Sequence, residues 1–312
     1  MTITALSVHT RRFLEGRLPD WVEPRWFANA EELTAILPEV EIGWFDGAGW
    51  SHTLSAPKSA PKLRWLNTFA AGIEAFPLAY LRDHGVVLTN GAGVNDIAVA
   101  EYVILGMLVL AKKYHEVVRA QDRSEWLPDA PGKIELHGTR ALIVGSGAIG
   151  QRVAAMLAPF EVAVTEVRRS ARDGALGMDD WRAVLGEFDW VIVAVPATAE
   201  TDAMFGAAEF AAMKPGASIL NFARGSVIDQ DVLIAAVNSG QIGGAFLDVT
   251  DPEPLPSDHP LWKCANIHIS QHLSGRSQTA LFARASERFL ENLGRWERGD
   301  PLIAQVDLAL GY

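Results

Sequence analysis

The stretch Val144-Gly145-Ser146-Gly147-Ala148-Ile149-Gly150 decides the fold. A short strand-like run, Arg140-Ala141-Leu142-Ile143, leads into it, and Gln151-Arg152-Val153-Ala154-Ala155-Met156-Leu157 leaves it as a helix. Strand, Gly-x-Gly-x-x-Gly turn and helix is the arrangement that wraps a dinucleotide pyrophosphate. Gly145 permits the tight turn, Gly147 puts no Cβ between backbone and phosphates, and Gly150 lets helix and strand pack closely. The helix N-terminus then presents free N–H groups and a positive dipole end to the anion. Glycines also mark ordinary strand-to-helix turns, so the motif counts only with its surroundings.

Those surroundings are regular. Ala141–Val144, Val162–Val167, Trp190–Val195, Ser218–Asn221, Gly244–Asp248 and Ile267–Ser270 are apolar runs of the kind that form buried parallel strands. Helical segments separate them; one, Asp229–Val237, has Asp229 as its cap and Gly240 beyond its end. Six strands alternating with helices predict a doubly wound parallel α/β sheet of the Rossmann class. Upstream, Thr4–Val8, Glu41–Asp46, Leu63–Asn67 and Val86–Asn90 predict strands, and Ala30–Leu37 a helix closed by Pro38, giving a second, smaller α/β domain. A longer helix begins at Asn95-Asp96, which can cap it, and continues through Leu105, Leu108 and Leu110 to Lys112-Lys113. Its nearly all-round apolar character predicts burial between domains. Residues 120–138, with Pro128, Pro131 and Gly132, read as an irregular connection. A last helix is expected from Ser277 to about Trp296, with Leu281, Ala285, Phe289 and Leu293 at four-residue steps. It returns the chain to the first domain, which is then discontinuous: 1–92 with 275–312, around a dinucleotide-binding domain of 93–274.

Composition narrows the function classes. Hydrophobic residues are 49% and charged residues 21% of the 312, a globular balance. Lys and Arg number 27 against 38 Asp and Glu, a net charge of −11, which disfavours nucleic-acid or anionic-membrane partners. Cys264 is the only cysteine, so no intrachain disulfide forms, and a cytoplasmic location is expected. The first twenty residues lack an apolar core for a signal peptide. The longest apolar run, Tyr102–Ala111, is ten residues, about half of a bilayer span. No spacing suggests a metal site.

In an open parallel sheet, ligands bind beyond the carboxyl ends of the strands. There the sequence carries, in strand order, the glycine loop, Arg168-Arg169-Ser170, Pro196-Ala197-Thr198, Phe222-Ala223-Arg224-Gly225, Asp248 leading to Asp251-Pro252-Glu253-Pro254, and Gln271-His272. An Arg, a Glu and a His at one sheet edge match hydride transfer to a 2-oxo acid. The substrate carboxylate calls for a planar cation with two donors, which Arg supplies. The carbonyl oxygen gains negative charge as hydride arrives, and a histidine suits as proton donor. A neighbouring carboxylate favours the imidazolium. Asp251 competes with Glu253 for that place, and His268 with His272; His268 lies inside an alternating strand, where a structural role is expected. A Ser/His/Asp hydrolase would want Gly-x-Ser-x-Gly, but Ser146 lies between adjacent glycines.

These motifs together resemble the D-isomer-specific 2-hydroxyacid dehydrogenase family, from about Trp65 to the C-terminus. The resemblance rests on Gly145-Ser146-Gly147-Ala148-Ile149-Gly150, Asn221-Phe222-Ala223-Arg224-Gly225, Leu247-Asp248-Val249 through Glu253-Pro254-Leu255, and His272. The ending Gln305-Val306-Asp307 through Gly311-Tyr312 is similar to glyoxylate/hydroxypyruvate reductases. The resemblance implies a flavodoxin-like substrate-binding domain beside the Rossmann domain, and a homodimer. It implies that Arg224 binds the carboxylate and polarises the carbonyl, that Glu253 pairs with His272 as the acid/base, and that Asp248 contacts the nicotinamide carboxamide. Ala71-Gly72, within Phe69-Ala70-Ala71-Gly72-Ile73, matches the backbone loop that binds substrate. Gly145, Ser146, Gly147, Ala148, Ile149, Pro196, Thr201, Phe222 and Ala223, with Arg224 and His272, match positions that line the cofactor. Ala70 stands where a glycine is common and Gln271 where a proline is common.

The second strand ends in Val167-Arg168-Arg169-Ser170, where NAD-preferring members carry an acidic residue for the ribose 2′-hydroxyl. Arg168 pairs with a 2′-phosphate instead, and Arg169 and Ser170 stand beside it. NADP(H) is therefore expected over NAD(H), although Glu166 falls on the same strand face as Arg168. The expected activity is NADPH-dependent reduction of a small 2-oxo acid such as glyoxylate or hydroxypyruvate to the D-2-hydroxy acid. The alternative is a non-catalytic dinucleotide sensor on the same fold.

Overall fold

The computed structural model describes residues 1–171, 174–276 and 280–311, and the chain divides into two compact units. The first comprises Met1–Asn95 with Arg276–Tyr312, the second Asp96–Gly275.

The first unit carries strands β1 (Thr2–Ser7), β2 (Val22–Phe27), β3 (Ile42–Trp44), β4 (Trp65–Asn67) and β5 (Val87–Thr89). They form one parallel sheet in the order β2-β1-β3-β4-β5, the flavodoxin-like order. β2 is the strand that alternation does not reveal, because Pro24 interrupts it. The sheet tolerates that proline at its outer edge, where β2 pairs only with β1 and Pro24 lies beside Thr4. The helix Leu281–Arg298 supplies the four-residue stripe: Phe289 stacks on Trp65 at 5.2 Å between ring centres and meets Trp44 at 5.2 Å. Its expected first residues, from Ser277 to Thr279, lie outside the described residues.

At the end of β3 one carboxylate, Asp46, is buried. It accepts hydrogen bonds from the Thr68 hydroxyl at 3.0 Å and the Phe69 N–H at 3.2 Å. Burial pushes its carboxyl up to about 6, against these hydrogen bonds, which pull it down. A raised pKa in the folded state means folding favours the protonated acid, so stability is lost as pH rises through about 6. Asp46→Asn removes that loss. Relative to the variant, the wild type should therefore be less stable at pH 7.5 than at pH 4.5, by about 2 kcal/mol. Urea unfolding of both proteins at the two pH values checks this; an equal difference at both would refute it.

The second unit carries β6 (Arg140–Val144), β7 (Ala163–Val167), β8 (Trp190–Val193), β9 (Ala217–Asn221), β10 (Ile242–Leu247) and β11 (Ile267–Ile269). All are parallel, in the order β11-β10-β9-β8-β6-β7, and a single bridge from Val167 to Leu176 extends the sheet beyond β7. Apolar side chains leave both faces. Leu142, Val144, Val191 and Val193 join Trp181, Phe205 and Phe210 on one side. Ala141, Ile143, Ile192 and Phe246 join the helices Asp96–Lys112 and Ala148–Leu157 on the other. Two-sided burial explains why these strands read as continuous apolar runs.

The helix Asp96–Lys112 lies close to this sheet: a Cβ on Gly106 would stand 2.8 Å from the Phe246 ring, and one on Gly244 2.9 Å from Leu110. Its apolar surface is not wholly buried, since Ile97 and Leu105 remain exposed. Residues 120–138 are not irregular from their start, because a further helix, Tyr114–Asp122, reaches into them. Among the described residues, no helix is long and apolar enough to cross a membrane.

Candidate active site

The second unit's sheet reverses direction between β6 and β8, and the crevice beyond their carboxyl ends is where such a sheet holds a ligand. The glycine loop occupies it. Gly145 has φ +110°, and a Cβ on it would lie 2.4 Å from the Ala194 carbonyl oxygen, so only glycine lets the chain leaving β6 pass the chain leaving β8. A Cβ on Gly150 would lie 2.1 Å from the Gly145 carbonyl oxygen. Gly147 caps the helix Ala148–Leu157, and a Cβ there would meet nothing within 4 Å, which leaves the approach to the helix N-terminus open. Ala148 and Ile149 follow in the first turn, where N–H groups have no intrahelical acceptor.

The end of β7 stands beside this loop, with the Gly145 N–H donating to the Val167 carbonyl at 3.1 Å. Leu176 braces it on the other side: its N–H donates to the Glu166 carbonyl and its carbonyl accepts from the Arg168 N–H, each at 2.9 Å. Glu166 and Arg168 therefore share a face. The Ser146 hydroxyl donates to Glu166 Oε1 at 2.5 Å, and the Arg168 guanidinium lies 3.5 Å from Glu166 Oε2. Arg168 Nε is buried without a hydrogen-bond partner among the described residues. Arg169 and Ser170 are exposed. A glycine cradle at a helix N-terminus and an orphaned guanidinium nitrogen at the next strand end fit a dinucleotide.

Beyond β8, Thr201 is buried and donates from its hydroxyl to the Pro196 carbonyl at 2.8 Å, closing that loop on itself. Beyond β9, Asn221 pins the next loop. Its Nδ2 donates to the Arg224 carbonyl at 2.9 Å and its Oδ1 accepts from the Ala223 N–H at 3.0 Å. Phe222 and Ala223 are buried, Phe222 stacking on Phe246 at 5.9 Å. Arg224 Nη1 donates to the Ala223 carbonyl at 2.7 Å. Gly225 then approaches the loop beyond β10 so closely that a Cβ would lie 2.0 Å from the Thr250 carbonyl carbon. The Arg224 loop and the Glu253 loop are thereby locked together.

Glu253 and His272 meet. Glu253 Oε2 lies 2.7 Å from His272 Nδ1, and Oε1 accepts the Thr250 N–H at 3.0 Å. With Nδ1 held, Nε2 is the ring nitrogen left for a reacting group. Gln271 and His272 both have φ +55°, and the Leu273 N–H donates to the Ser270 carbonyl at 3.1 Å. This is a tight turn with two left-handed residues. Proline, locked near φ −65°, cannot occupy the first of them, the place of Gln271.

Asp248 is buried beneath this turn. Its Oδ1 accepts from the Ser270 hydroxyl at 2.7 Å and from the Leu273 and Ser274 N–H groups at 3.2 Å, and its Oδ2 accepts from the Ser274 hydroxyl. Three of these bonds crowd Oδ1, while Oδ2 takes one and keeps an acceptor position. Asp248 therefore anchors the His272 turn. This anchoring has no signature in the sequence, because Ser270 and Ser274 read as ordinary loop residues.

The rivals fall elsewhere. His268 is part of β11 and faces His115 at 4.2 Å between ring centres; burial pushes it down to about 4, so it stays neutral. Among the described residues, no group of three or more His, Cys, Asp or Glu is placed to hold a metal. Ala71 and Gly72 belong to the first unit. There the Ala71 carbonyl accepts from Asn90 Nδ2 at 2.9 Å and the Ala70 carbonyl from the Gly91 N–H at 2.8 Å.

A Gly-x-Gly-x-x-Gly loop on a doubly wound sheet, with a carboxylate–histidine pair among the loops that follow its strands, fits a nicotinamide-dependent oxidoreductase. The family model described as "D-isomer specific 2-hydroxyacid dehydrogenase, NAD binding domain" matches residues 104–274. The glyoxylate reductase of Korarchaeum cryptofilum is 31% identical over 252 residues, covering 78% of this chain and 76% of that protein. Two crystal structures of D-isomer specific 2-hydroxyacid dehydrogenase family proteins superpose on the whole chain. One, from Aeromonas salmonicida, has a TM-score of 0.84 at 29% identity, covering 98% of this chain and 99% of that one. The other, from Xanthobacter autotrophicus in complex with NADPH and MES, has a TM-score of 0.80 at 26% identity, covering 100% and 99%. The chain belongs to the D-isomer specific 2-hydroxyacid dehydrogenase family.

Proposed function

We propose that the protein reduces a small 2-oxo acid, of the glyoxylate or hydroxypyruvate kind, to the D-2-hydroxy acid with NADPH. The observation that carries this reading is the Glu253–His272 pair at 2.7 Å, with Glu253 in a loop locked to the one that bears Arg224. The glycine loop and Arg168 would hold the dinucleotide, which when bound would supply a hydride. Arg224 holds the substrate carboxylate and stabilises the growing charge on the carbonyl oxygen. His272 donates the proton from Nε2 to that oxygen, and Glu253, held by the Thr250 N–H, orients the ring and balances the imidazolium. The expected backbone contact of Ala71-Gly72 with substrate belongs to this proposal, as do the homodimer and the cytoplasmic location. The reductase named for Korarchaeum cryptofilum and the NADPH complex of the Xanthobacter autotrophicus protein support it.

The alternative, a dinucleotide sensor, has less support: a sensor has no need of a proton donor aligned by a carboxylate. Mixing the protein with NADPH and a panel of 2-oxo acids, and following loss of NADPH absorbance, separates the two. Tight NADPH binding with no turnover on any of them would favour the sensor. The cofactor preference rests on Arg168. We expect kcat/KM to favour NADPH over NADH by about tenfold or more, one charge-assisted hydrogen bond's worth. Arg168→Asp should reverse that order, and equal efficiencies in the wild type would remove the preference.

A further inference from the structure

The carboxylate of Glu166 stands between two groups that the proposed function assigns to the cofactor, Ser146 and Arg168. It accepts the hydroxyl of Ser146, the second residue of the glycine loop, at 2.5 Å, and it lies 3.5 Å from the guanidinium of Arg168. Both acidic and basic side chains are mostly buried, at 23% and 21% exposure, so solvent screens the pair less than it would a surface pair. The Leu176 bridge fixes both backbone positions, so neither residue can turn to the other face without breaking two hydrogen bonds.

We infer that Glu166 sets the margin between the two cofactors: it is the charge that opposes the 2′-phosphate Arg168 attracts, and it holds that margin down. This rests on the reading of Arg168 as the 2′-phosphate partner. A 2′-phosphate beside Arg168 must share that guanidinium with Glu166, while its own charge is repelled by the same carboxylate. A 2′-hydroxyl meets neither cost and can donate to the carboxylate. A chain with Arg168 alone would discriminate sharply; a chain with Arg168 and Glu166 accepts both cofactors more evenly.

The discriminating variant is Glu166→Gln, which keeps an oxygen for the Ser146 hydroxyl and removes the charge. Dissociation constants of NADPH and NADH, measured by quenching of tryptophan fluorescence without substrate, are the readout. Glu166→Gln should tighten NADPH by about tenfold and leave NADH unchanged or weaker, and the gain should shrink as salt is raised. Ser146→Ala keeps the charge and removes the hydroxyl, so it should change both constants alike and leave their ratio within about twofold. A ratio that does not move in Glu166→Gln overturns the inference. So does weaker binding of both cofactors by the same factor, or a Ser146→Ala shift as large as that of Glu166→Gln, since either assigns Glu166 to loop shape alone. A wild type that binds NADH more tightly refutes the NADPH preference and not the role of Glu166, which is read from the change in ratio.

Discussion

His272→Gln should lower kcat by about 10²- to 10⁴-fold while leaving the dissociation constant of NADPH within about twofold. Glutamine fills a similar space, accepts or donates a hydrogen bond, and still reaches toward Glu253. It cannot release a proton to an alkoxide. The loss therefore falls on the chemical step, as expected for a group whose interaction strengthens only in the transition state. The turn that carries residue 272 is held by Asp248 through Ser270, Leu273 and Ser274, none of which the substitution touches. Steady-state kinetics with saturating cofactor, together with fluorescence titration of NADPH, separate the two effects. An unchanged kcat would remove His272 from the mechanism.

Arg224→Ala should raise KM for the 2-oxo acid by about 10²-fold and lower kcat as well, because truncating one partner of a charged pair costs about 2–5 kcal/mol. The proposed guanidinium acts twice, on the carboxylate in the ground state and on the carbonyl oxygen as charge develops. Arg224→Lys should recover part of the binding and little of the rate, since an ammonium is a point charge without the planar fork. The loop is held through its backbone by Asn221 and by the close approach of Gly225 to Thr250, so the side chain can be removed without displacing Glu253. Kinetics on the 2-oxo acid that turns over best would test this, and a KM within twofold of wild type would exclude Arg224 as the carboxylate partner.

Much of the fold is legible in the sequence. The central strands of the second unit are buried on both faces, so their apolar runs stand out, and the loops beyond the strands carry the candidate site residues. The edge strand Val22–Phe27 was not legible, because Pro24 argues against a strand except where one side has no neighbour. The bridge at Leu176 escaped for a different reason: a single residue carries no periodicity. The helix Tyr114–Asp122 lies mostly before the expected irregular connection, 120–138, and runs on into its start. Among the site residues, Arg224, Glu253 and His272 were recognisable by motif. The work of Asn221, Thr250, Ser270 and Ser274 was not, since a polar loop residue looks the same whether it faces solvent or a buried carboxylate.

By itself the sequence determined the class of fold, the glycine loop and the residue types at the strand ends, because periodicity and close-approach glycines are local properties of the chain. Only the tertiary structure decided which charges meet. That Glu253 rather than Asp251 pairs with His272, that Asp248 holds the turn bearing His272, and that Glu166 meets Ser146 depend on loops from distant parts of the chain. Hydrogen bonds and ion pairs act over a few ångströms, and distance in space is what a linear chain does not state.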